Sequence, residues 1–269
     1  MFGWLFHRRS QEGRFRARRF VILGIHHSWH AVAIARHLAA AGLRPELALV
    51  SAARDEQLDA SRPFWQRPRW WRRAREVLRA HAPLAERDEP DAVPRVYQET
   101  GVPYLFVPGF TSDLTCSLLE AAGADAIVLA EGPILKGRIL RTAPAGIINL
   151  HAAPLPAYRG NCATWWALYH DEPLEACAHL VTEGVDTGPL LARRRLPVRR
   201  GDTLEDIDRR GFEVCGELLV EVLQQAGGGG IVPRPQRDWE GRTFRGRMPQ
   251  DIVDECRRRL REQEYTHYE

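Results

Sequence analysis

Three polar side chains in the middle of the chain have the right chemistry for acyl transfer to an amine. Asn149 and His151 are two residues apart in a run that predicts a β-strand, so their side chains share one face. Asp186 lies in a loop bracketed by glycines, from which its carboxylate can reach a histidine at a strand end. An amide can stabilise an oxyanion, an imidazole can transfer a proton, and a carboxylate can orient the imidazole. We predict Asn149, His151 and Asp186 as catalytic residues.

The sequence near these residues contains no nucleophile with a motif of its own. Cys162 is close, but neither a nucleophile elbow nor a Cys-His signature surrounds it. We therefore expect direct attack by a substrate amine. The five cysteines form no C-x-x-C pair, which argues against a zinc ribbon and a disulfide framework and favours a reducing cytoplasm. We predict no metal site.

Composition limits the class of protein. The chain has 269 residues, 44% of them hydrophobic and 27% charged, as in ordinary globular proteins. Its formal net charge of +3 is too small to indicate a nucleic-acid-binding protein by itself. Apolar runs stay shorter than the roughly 18 to 20 residues that span a bilayer, and the apolar start is too short for a signal peptide. We expect neither membrane insertion nor secretion.

Strand and helix patterns alternate from residue 20 onward. Short apolar runs predict strands over 20–24, 47–50, 104–107, 126–130 and 146–151. Helical spacing predicts helices over 31–41, 92–99, 114–121 and 250–262. Asp202 or Thr203 can cap a further helix that runs through Leu223. Apolar runs without alternation are typical of strands buried on both faces. The fold class is therefore α/β, with a doubly wound, mainly parallel sheet whose carboxyl edge binds ligands.

Three parts of the chain differ in composition. We divide it into a basic arm over 1–19, a catalytic domain over 20–200 and a short helical and irregular extension over 201–269. Arginine and tryptophan alternate with prolines over 62–73, which favours a surface loop packed on the core. A substrate or partner surface and a nucleic-acid surface remain alternatives for this stretch.

Four segments of the predicted core resemble the folate-dependent formyltransferases. That family includes glycinamide ribonucleotide formyltransferase, methionyl-tRNA formyltransferase and the nucleotide-sugar N-formyltransferases. The resemblance spans roughly residues 20 to 225 and rests on segments 148–151, 155–160, 166–168 and 183–189. It implies a Rossmann-like fold and 10-formyltetrahydrofolate as formyl donor. It also implies that Asn149 stabilises the developing oxyanion, that His151 assists as acid, base or electrostatic partner, and that Asp186 holds His151 and relays a proton.

The resemblance further implies where the pterin of the donor binds. In this family, backbone groups of two loops usually hold it: the loop after a buried strand and the loop before the catalytic aspartate. The corresponding residues here are Gly132, Pro133, Ile134, Leu135, Thr182, Glu183, Gly184 and Val185.

Differences between this sequence and individual family members restrict which acceptor we expect. The purine-synthesis enzyme has a glycine- and serine-rich first turn that cradles a phosphate, whereas residues 24–30 here include three histidines. Methionyl-tRNA formyltransferases carry a large C-terminal domain, and deformylases normally carry an N-terminal regulatory domain. The amino-acid sequence over 158–160 and 166–168 is most similar to that of the nucleotide-sugar branch. We therefore expect an amino nucleotide sugar as acceptor.

Several alternatives remain at this point. A hydroxyornithine-type siderophore amine and hydrolysis of 10-formyltetrahydrofolate are the rival reactions, and a folate-binding or nucleic-acid-binding module is the rival without catalysis. His26, His27 and His30 could contact substrate, serve the fold, or in the pair His26 and His30 bind a metal. Dimers are common among the sugar-modifying members, so the extension over 201–269 is our candidate interface of a homodimer.

Overall fold

The computed structural model describes residues 13–26, 28–51, 92–237 and 241–269. Most of the basic arm, the stretch over 62–73 and His27 lie outside the described residues, so our interpretations of them remain predictions.

Strands and helices alternate along the described chain. The strands are β1 (Phe20–Ile25), β2 (Leu47–Ser51), β3 (Tyr104–Val107), β4 (Ala126–Leu129), β5 (Gly146–His151), β6 (Tyr158–Gly160), β7 (Glu175–Leu180), β8 (Leu190–Arg195) and β9 (Arg242–Phe244). The helices are α1 (Trp29–Ala40), α2 (Ala92–Thr100), α3 (Asp113–Ala122), α4 (Ala163–Tyr169), α5 (Leu204–Gly227) and α6 (Gln250–Arg261), with a 3-10 turn at Gly137–Arg141. The elements predicted from the sequence are confirmed within a few residues.

The main sheet has seven strands in the order β3-β2-β1-β4-β5-β7-β8. Its first five strands are parallel, whereas β7 runs antiparallel to both β5 and β8. The predicted α/β class with a mainly parallel sheet is therefore confirmed. The antiparallel pair at one edge was not predicted, because β8 carries three arginines and two of its six residues are exposed.

Helices cover both faces of the sheet. Alternate residues of β1 enter different core clusters: Phe20 and Ile22 pack with α1, α2 and α5, whereas Val21 and Leu23 pack with α3 and the 3-10 turn. Every residue of β1 and β4 is buried, as the apolar runs predicted. The parallel arrangement brings the carboxyl ends of β1, β4 and β5 to one edge.

The extension after residue 200 is anchored on this sheet domain. Helix α5 contributes buried side chains to the same core as α1. Arg234 exchanges backbone hydrogen bonds with Leu190 at the start of β8. Strand β9 pairs in parallel with β6 to form a second, two-stranded sheet. Among the helices of the described ranges, none combines the length and the apolar character that a membrane span requires.

Helix α5 begins with a capping box. The Thr203 side chain accepts a hydrogen bond from the Asp206 backbone, and the Asp206 carboxylate accepts one from the Thr203 backbone. These bonds satisfy N–H groups that the first helical turn leaves without partners. The predicted cap is therefore confirmed, with Thr203 as the N-cap residue.

We expect Thr203→Ala to lower the free energy of unfolding by about 1 kcal/mol, because the alanine cannot accept the hydrogen bond. In thermal denaturation this corresponds to a fall in Tm of about 2 to 4 °C. Thr203→Ser is the matched control, since it keeps the hydroxyl. Equal Tm values for the alanine and serine variants would contradict the role of the cap.

Candidate functional site

The three predicted catalytic residues meet at the carboxyl edge of the sheet. Asn149 and His151 project from the same face of β5, and Asp186 lies in the loop between β7 and β8. The Asp186 carboxylate lies 3.5 Å from Asn149 Nδ2 and 3.6 Å from His151 Nδ1. The side chains of His151 and Asp186 are only 12% and 14% exposed, so these groups interact in a largely dry environment.

The Asp186 carboxylate is stabilised in its ionised form. Burial alone would raise its pKa, but the neighbouring imidazoles of His179 and His151 and the Gly160 N–H hold the pKa well below its usual value. Gly160 N donates to Oδ2 over 2.8 Å, and His179 Nε2 lies 3.4 Å from Oδ1. The site therefore contains a carboxylate that stays negative at neutral pH.

The geometry at His151 fixes which of its nitrogens titrates. Nε2 lies 2.9 Å from the carbonyl oxygen of Tyr158, which can only accept, so Nε2 carries a proton. Nδ1 faces Asp186 and is the nitrogen that gains or loses a proton. Burial lowers the pKa of His151, whereas the nearby Asp186 carboxylate raises it and only partly offsets that effect. At neutral pH the ring is therefore a neutral base directed at a carboxylate.

A fourth polar residue, His179 of β7, was missed by the sequence analysis. Its ring is buried, with Nδ1 3.0 Å from the carbonyl oxygen of Leu180 and Nε2 3.1 Å from Asn149 Nδ2. Nδ1 donates to that carbonyl, so Nε2 accepts from the Asn149 amide and fixes its orientation. The role of His179 follows from the strand register, which pairs it with Asn149. No local sequence motif reveals that pairing.

A cavity of about 490 Å³ opens over these residues. Of the eight residues predicted to hold the pterin, seven line it and Glu183 does not. The lining members of that set are Gly132, Pro133, Ile134, Leu135, Thr182, Gly184 and Val185. Together with Leu129 and Val181 they form a largely apolar part of the lining.

The cavity is also lined by His30, which the sequence analysis considered as a possible substrate contact. Four further lining residues were not assigned to the site from the sequence: Asn161, Phe244, Arg245 and Gly246. His26 does not line the cavity, and within the described ranges no cluster of three His, Cys, Asp or Glu side chains is arranged to hold a metal ion.

The pairing of β6 with β9 brings the C-terminal extension to the cavity. Gly160 has a φ of +87°, and a Cβ there would collide with the carbonyl oxygen of Phe244, so this close approach requires glycine. The Phe244 ring stacks on Trp166 at 4.6 Å between centroids and on Tyr158 at 5.9 Å. The predicted irregular extension therefore supplies part of the site wall.

Gln236, also in the extension, holds the loop that carries Asp186. Its Nε2 donates to the carbonyl oxygens of Asp186 and Gly188 over 2.9 and 2.6 Å. Asp186 has a φ of +50°, in the left-handed region that favours glycine. The two bonds restrain a backbone conformation that a non-glycine residue adopts at a cost.

We expect Asp186→Asn to lower the pKa of His151, because the carboxylate that favours the charged imidazole is removed while the burial remains. The transition from neutral to protonated imidazole then moves to lower pH. A ¹⁵N NMR titration of labelled histidine side chains measures this, with the resonance assigned by His151→Gln. Asp251→Asn, on the exposed start of α6, is the control. An unchanged or raised His151 pKa would contradict the assigned contact.

We expect Gln236→Leu to reduce the free energy of unfolding by about 1 to 3 kcal/mol, since two carbonyl oxygens lose their donor in a half-buried place. Denaturant unfolding provides the measurement. Gln224→Leu, on the exposed face of α5, makes the same chemical change with an expected effect within about 0.5 kcal/mol. Equal effects of the two variants would show that the Gln236 bonds do not stabilise the loop.

The chain is similar in sequence to several formyltransferases. Residues 94–223 match the model of the formyl transferase family. A methionyl-tRNA formyltransferase of Thermodesulfovibrio yellowstonii is 38% identical over 112 residues, which are 41% of this chain and 36% of that protein. The methionyl-tRNA formyltransferase of Anaeromyxobacter sp. (strain K) is 37% identical over 135 residues, 49% of this chain and 43% of its own length. The chain thus matches less than half the length of these relatives.

Solved structures share the fold over most of the chain. The N-formyltransferase from Helicobacter canadensis, in complex with folinic acid and dTDP-3-aminofucose, has a TM-score of 0.56 at 12% identity, covering 93% of this chain and 83% of that one. Glycinamide ribonucleotide transformylase 1 from Symbiobacterium toebii has a TM-score of 0.55 at 22% identity, covering 81% and 95%. Residues 94–223 thus match the formyl transferase family, and the likeness to these solved structures shows a shared fold.

Proposed function

We propose that the protein is an N-formyltransferase that moves a formyl group from 10-formyltetrahydrofolate to the amine of a small molecule, most directly an amino nucleotide sugar. The observation that carries this proposal is the meeting of Asn149, His151 and the ionised Asp186 at the floor of one cavity. This set contains an oxyanion donor, a base and a carboxylate, and the match to the formyl transferase family makes acyl transfer the reaction to test first.

The cavity fits the proposed donor. A pterin is flat, with polar edges that hydrogen-bond to backbone groups, and the wall from Leu129 to Leu135 together with Val181, Thr182, Gly184 and Val185 offers apolar side chains beside main chain. The Helicobacter canadensis relative was solved with folinic acid, which supports the same ligand class here. When bound, 10-formyltetrahydrofolate supplies a formyl carbon attached to N10.

The residues around the cavity have separate roles in the proposed transfer. The substrate amine forms a bond to the formyl carbon, and the Asn149 amide donates to the formyl oxygen as that oxygen gains negative charge. The bond from the formyl carbon to N10 then breaks. His151 Nδ1, beside Asp186, receives the proton that the amine loses, and this proton is returned to N10 of the departing tetrahydrofolate.

No enzyme nucleophile is needed for this route. Cys162 is the nearest cysteine in sequence, and burial raises the pKa of its thiol, so it stays protonated at neutral pH. This supports direct attack by the substrate amine, as the sequence predicted.

The acceptor side supports a small anionic amine. Arg245 is exposed and lines the edge of the cavity, where its guanidinium can bind the phosphates of a nucleotide sugar. The dTDP-3-aminofucose of the Helicobacter canadensis relative belongs to the same class of molecule. Methionyl-tRNA is the second candidate acceptor, favoured by the 37 to 38% identity of the matched segment to methionyl-tRNA formyltransferases.

The test follows tetrahydrofolate release from 10-formyltetrahydrofolate in five separate reactions: with a pool of 3-amino nucleotide sugars, with a pool of 4-amino nucleotide sugars, with hydroxyornithine, with methionyl-tRNA, and without an acceptor. We expect release to depend on one sugar pool. Asn149→Ala lowers turnover about 100- to 1,000-fold, the usual loss when an oxyanion donor is removed. Gln250→Ala, on the exposed start of α6, is the control with unchanged turnover.

The other outcomes each replace the proposal. Release without any acceptor identifies a deformylase, and release that requires hydroxyornithine or methionyl-tRNA identifies that acceptor instead. Equal turnover of Asn149→Ala and the native enzyme would remove Asn149 from the mechanism.

A further inference from the structure

His30 stands at the cavity with a nitrogen that the protein leaves unpaired. It is the second residue of α1, and its ring stacks on Phe212 of α5 with centroids 5.2 Å apart and planes 20° apart. Its Nε2 is buried and has no hydrogen-bond partner, yet the residue lines the same cavity as Asn149 and His151. The stacking fixes the ring, so the position of this nitrogen is fixed as well.

Buried side-chain nitrogens are almost always hydrogen-bonded, so an unpaired one beside a cavity indicates a ligand contact. His151, whose charge affects His30, cannot serve as the partner, because its two nitrogens already face the Tyr158 carbonyl oxygen and the Asp186 carboxylate. The partner of His30 Nε2 therefore comes from the cavity.

The charge state of His30 restricts which chemical group can be its hydrogen-bond partner. Burial, with a smaller contribution from His151, lowers the pKa of His30 to about 4. The ring is neutral at pH 7, so it does not attract a phosphate as an imidazolium would. A neutral imidazole whose Nδ1 is protonated presents Nε2 as an acceptor, which suits a neutral N–H group.

His30 is separated in the sheet from one of the two loops of the proposed pterin site. His30 follows β1, whereas the loop over 182–185 follows β7, and β4 and β5 lie between these two strands. Asn161 and Arg245 likewise line the cavity from outside the predicted pterin loops. His30 is therefore available to contact the acceptor.

We propose that His30 Nε2 accepts a hydrogen bond from the reacting amino group of the acceptor and thereby selects primary amines. This inference rests on the proposed function. A primary amine that attacks through its lone pair has two N–H groups. One loses its proton to His151 as the new bond forms, and the other donates to His30, which aims the lone pair at the formyl carbon. A secondary amine lacks the second N–H group.

The first experiment measures kinetics with dTDP-3-aminofucose and its 3-methylamino analogue. His30→Phe keeps the stacking ring and removes the nitrogen, and we expect a loss of about tenfold in kcat/KM for the primary amine, with the KM for the folate donor unchanged. The preference for the primary over the methylated amine falls by the same factor. His30→Gln places an amide near the Nε2 position and restores most of the activity. His37→Gln, on the same helix but outside the cavity, is the control.

The second experiment needs neither turnover nor a variant that might fail to fold. ¹⁵N NMR of the native protein with labelled histidine follows His30 and His151 on addition of folinic acid and then of dTDP-3-aminofucose. The inference predicts that the amino sugar shifts the His30 Nε2 resonance, whereas the methylated analogue shifts it less.

The outcomes separate this contact from the proposed function. Transfer that proceeds with His30→Phe at the native rate, or an amino sugar that binds without moving the His30 Nε2 resonance, overturns the contact and leaves the formyltransferase proposal standing. If folinic acid leaves His151 unmoved and no amine is formylated, the proposed function and the contact fail together.

Discussion

The ionised carboxylate of Asp186 is the constraint on which the site depends. A charge held largely away from water must be compensated by hydrogen bonds and opposite or polarisable groups, or it destabilises the fold. The compensation comes from the Gly160 N–H and the imidazoles of His151 and His179. These groups belong to three different strands, so the charge can be buried only after β5, β6 and β7 have assembled.

The same carboxylate explains why the C-terminal extension approaches the sheet. Asp186 reaches its partners only from a left-handed backbone conformation, and Gln236 restrains that conformation from outside the loop. Gly160 can donate to Asp186 only if its own strand is held, and β9 holds it at a contact too close for any Cβ. The extension is therefore part of the electrostatic support of the site.

A second chain of contacts fixes the direction of the oxyanion donor. His179 donates through Nδ1 to a backbone carbonyl, which leaves Nε2 to accept from the Asn149 amide. The second amide N–H has only a long contact of 3.5 Å to Asp186, which a substrate oxygen can replace. A donor oriented before substrate binds needs little reorganisation during the reaction, and this is the main source of electrostatic catalysis.

The sequence predicts those parts of the molecule that are encoded locally. Strands β1 to β5 are short apolar runs, and the long helices have apolar periodicity and caps. Asn149, His151 and Asp186 lie in sequence motifs that resemble those of a known family. By contrast, β6 and β9 are very short and are held by a pairing between distant parts of the chain, Tyr158 with Arg242, that no periodicity records. His179 and Gln236 acquire their roles from strand register and loop geometry, so their residue types alone do not indicate them.

The charge balance of the cavity bears on how an amine becomes a nucleophile in the proposed reaction. Burial lowers the pKa of both His30 and His151, so these rings are neutral at pH 7 beside the negative Asp186. That combination favours an amine in its ammonium form, which has no lone pair for attack, so the amine reacts after it has lost one proton to solvent. His151 Nδ1 lies where it can take the proton that the amine loses as the new bond forms, and the Asp186 carboxylate stabilises the imidazolium that results. Burial of the histidines thus keeps His151 available as a base at neutral pH.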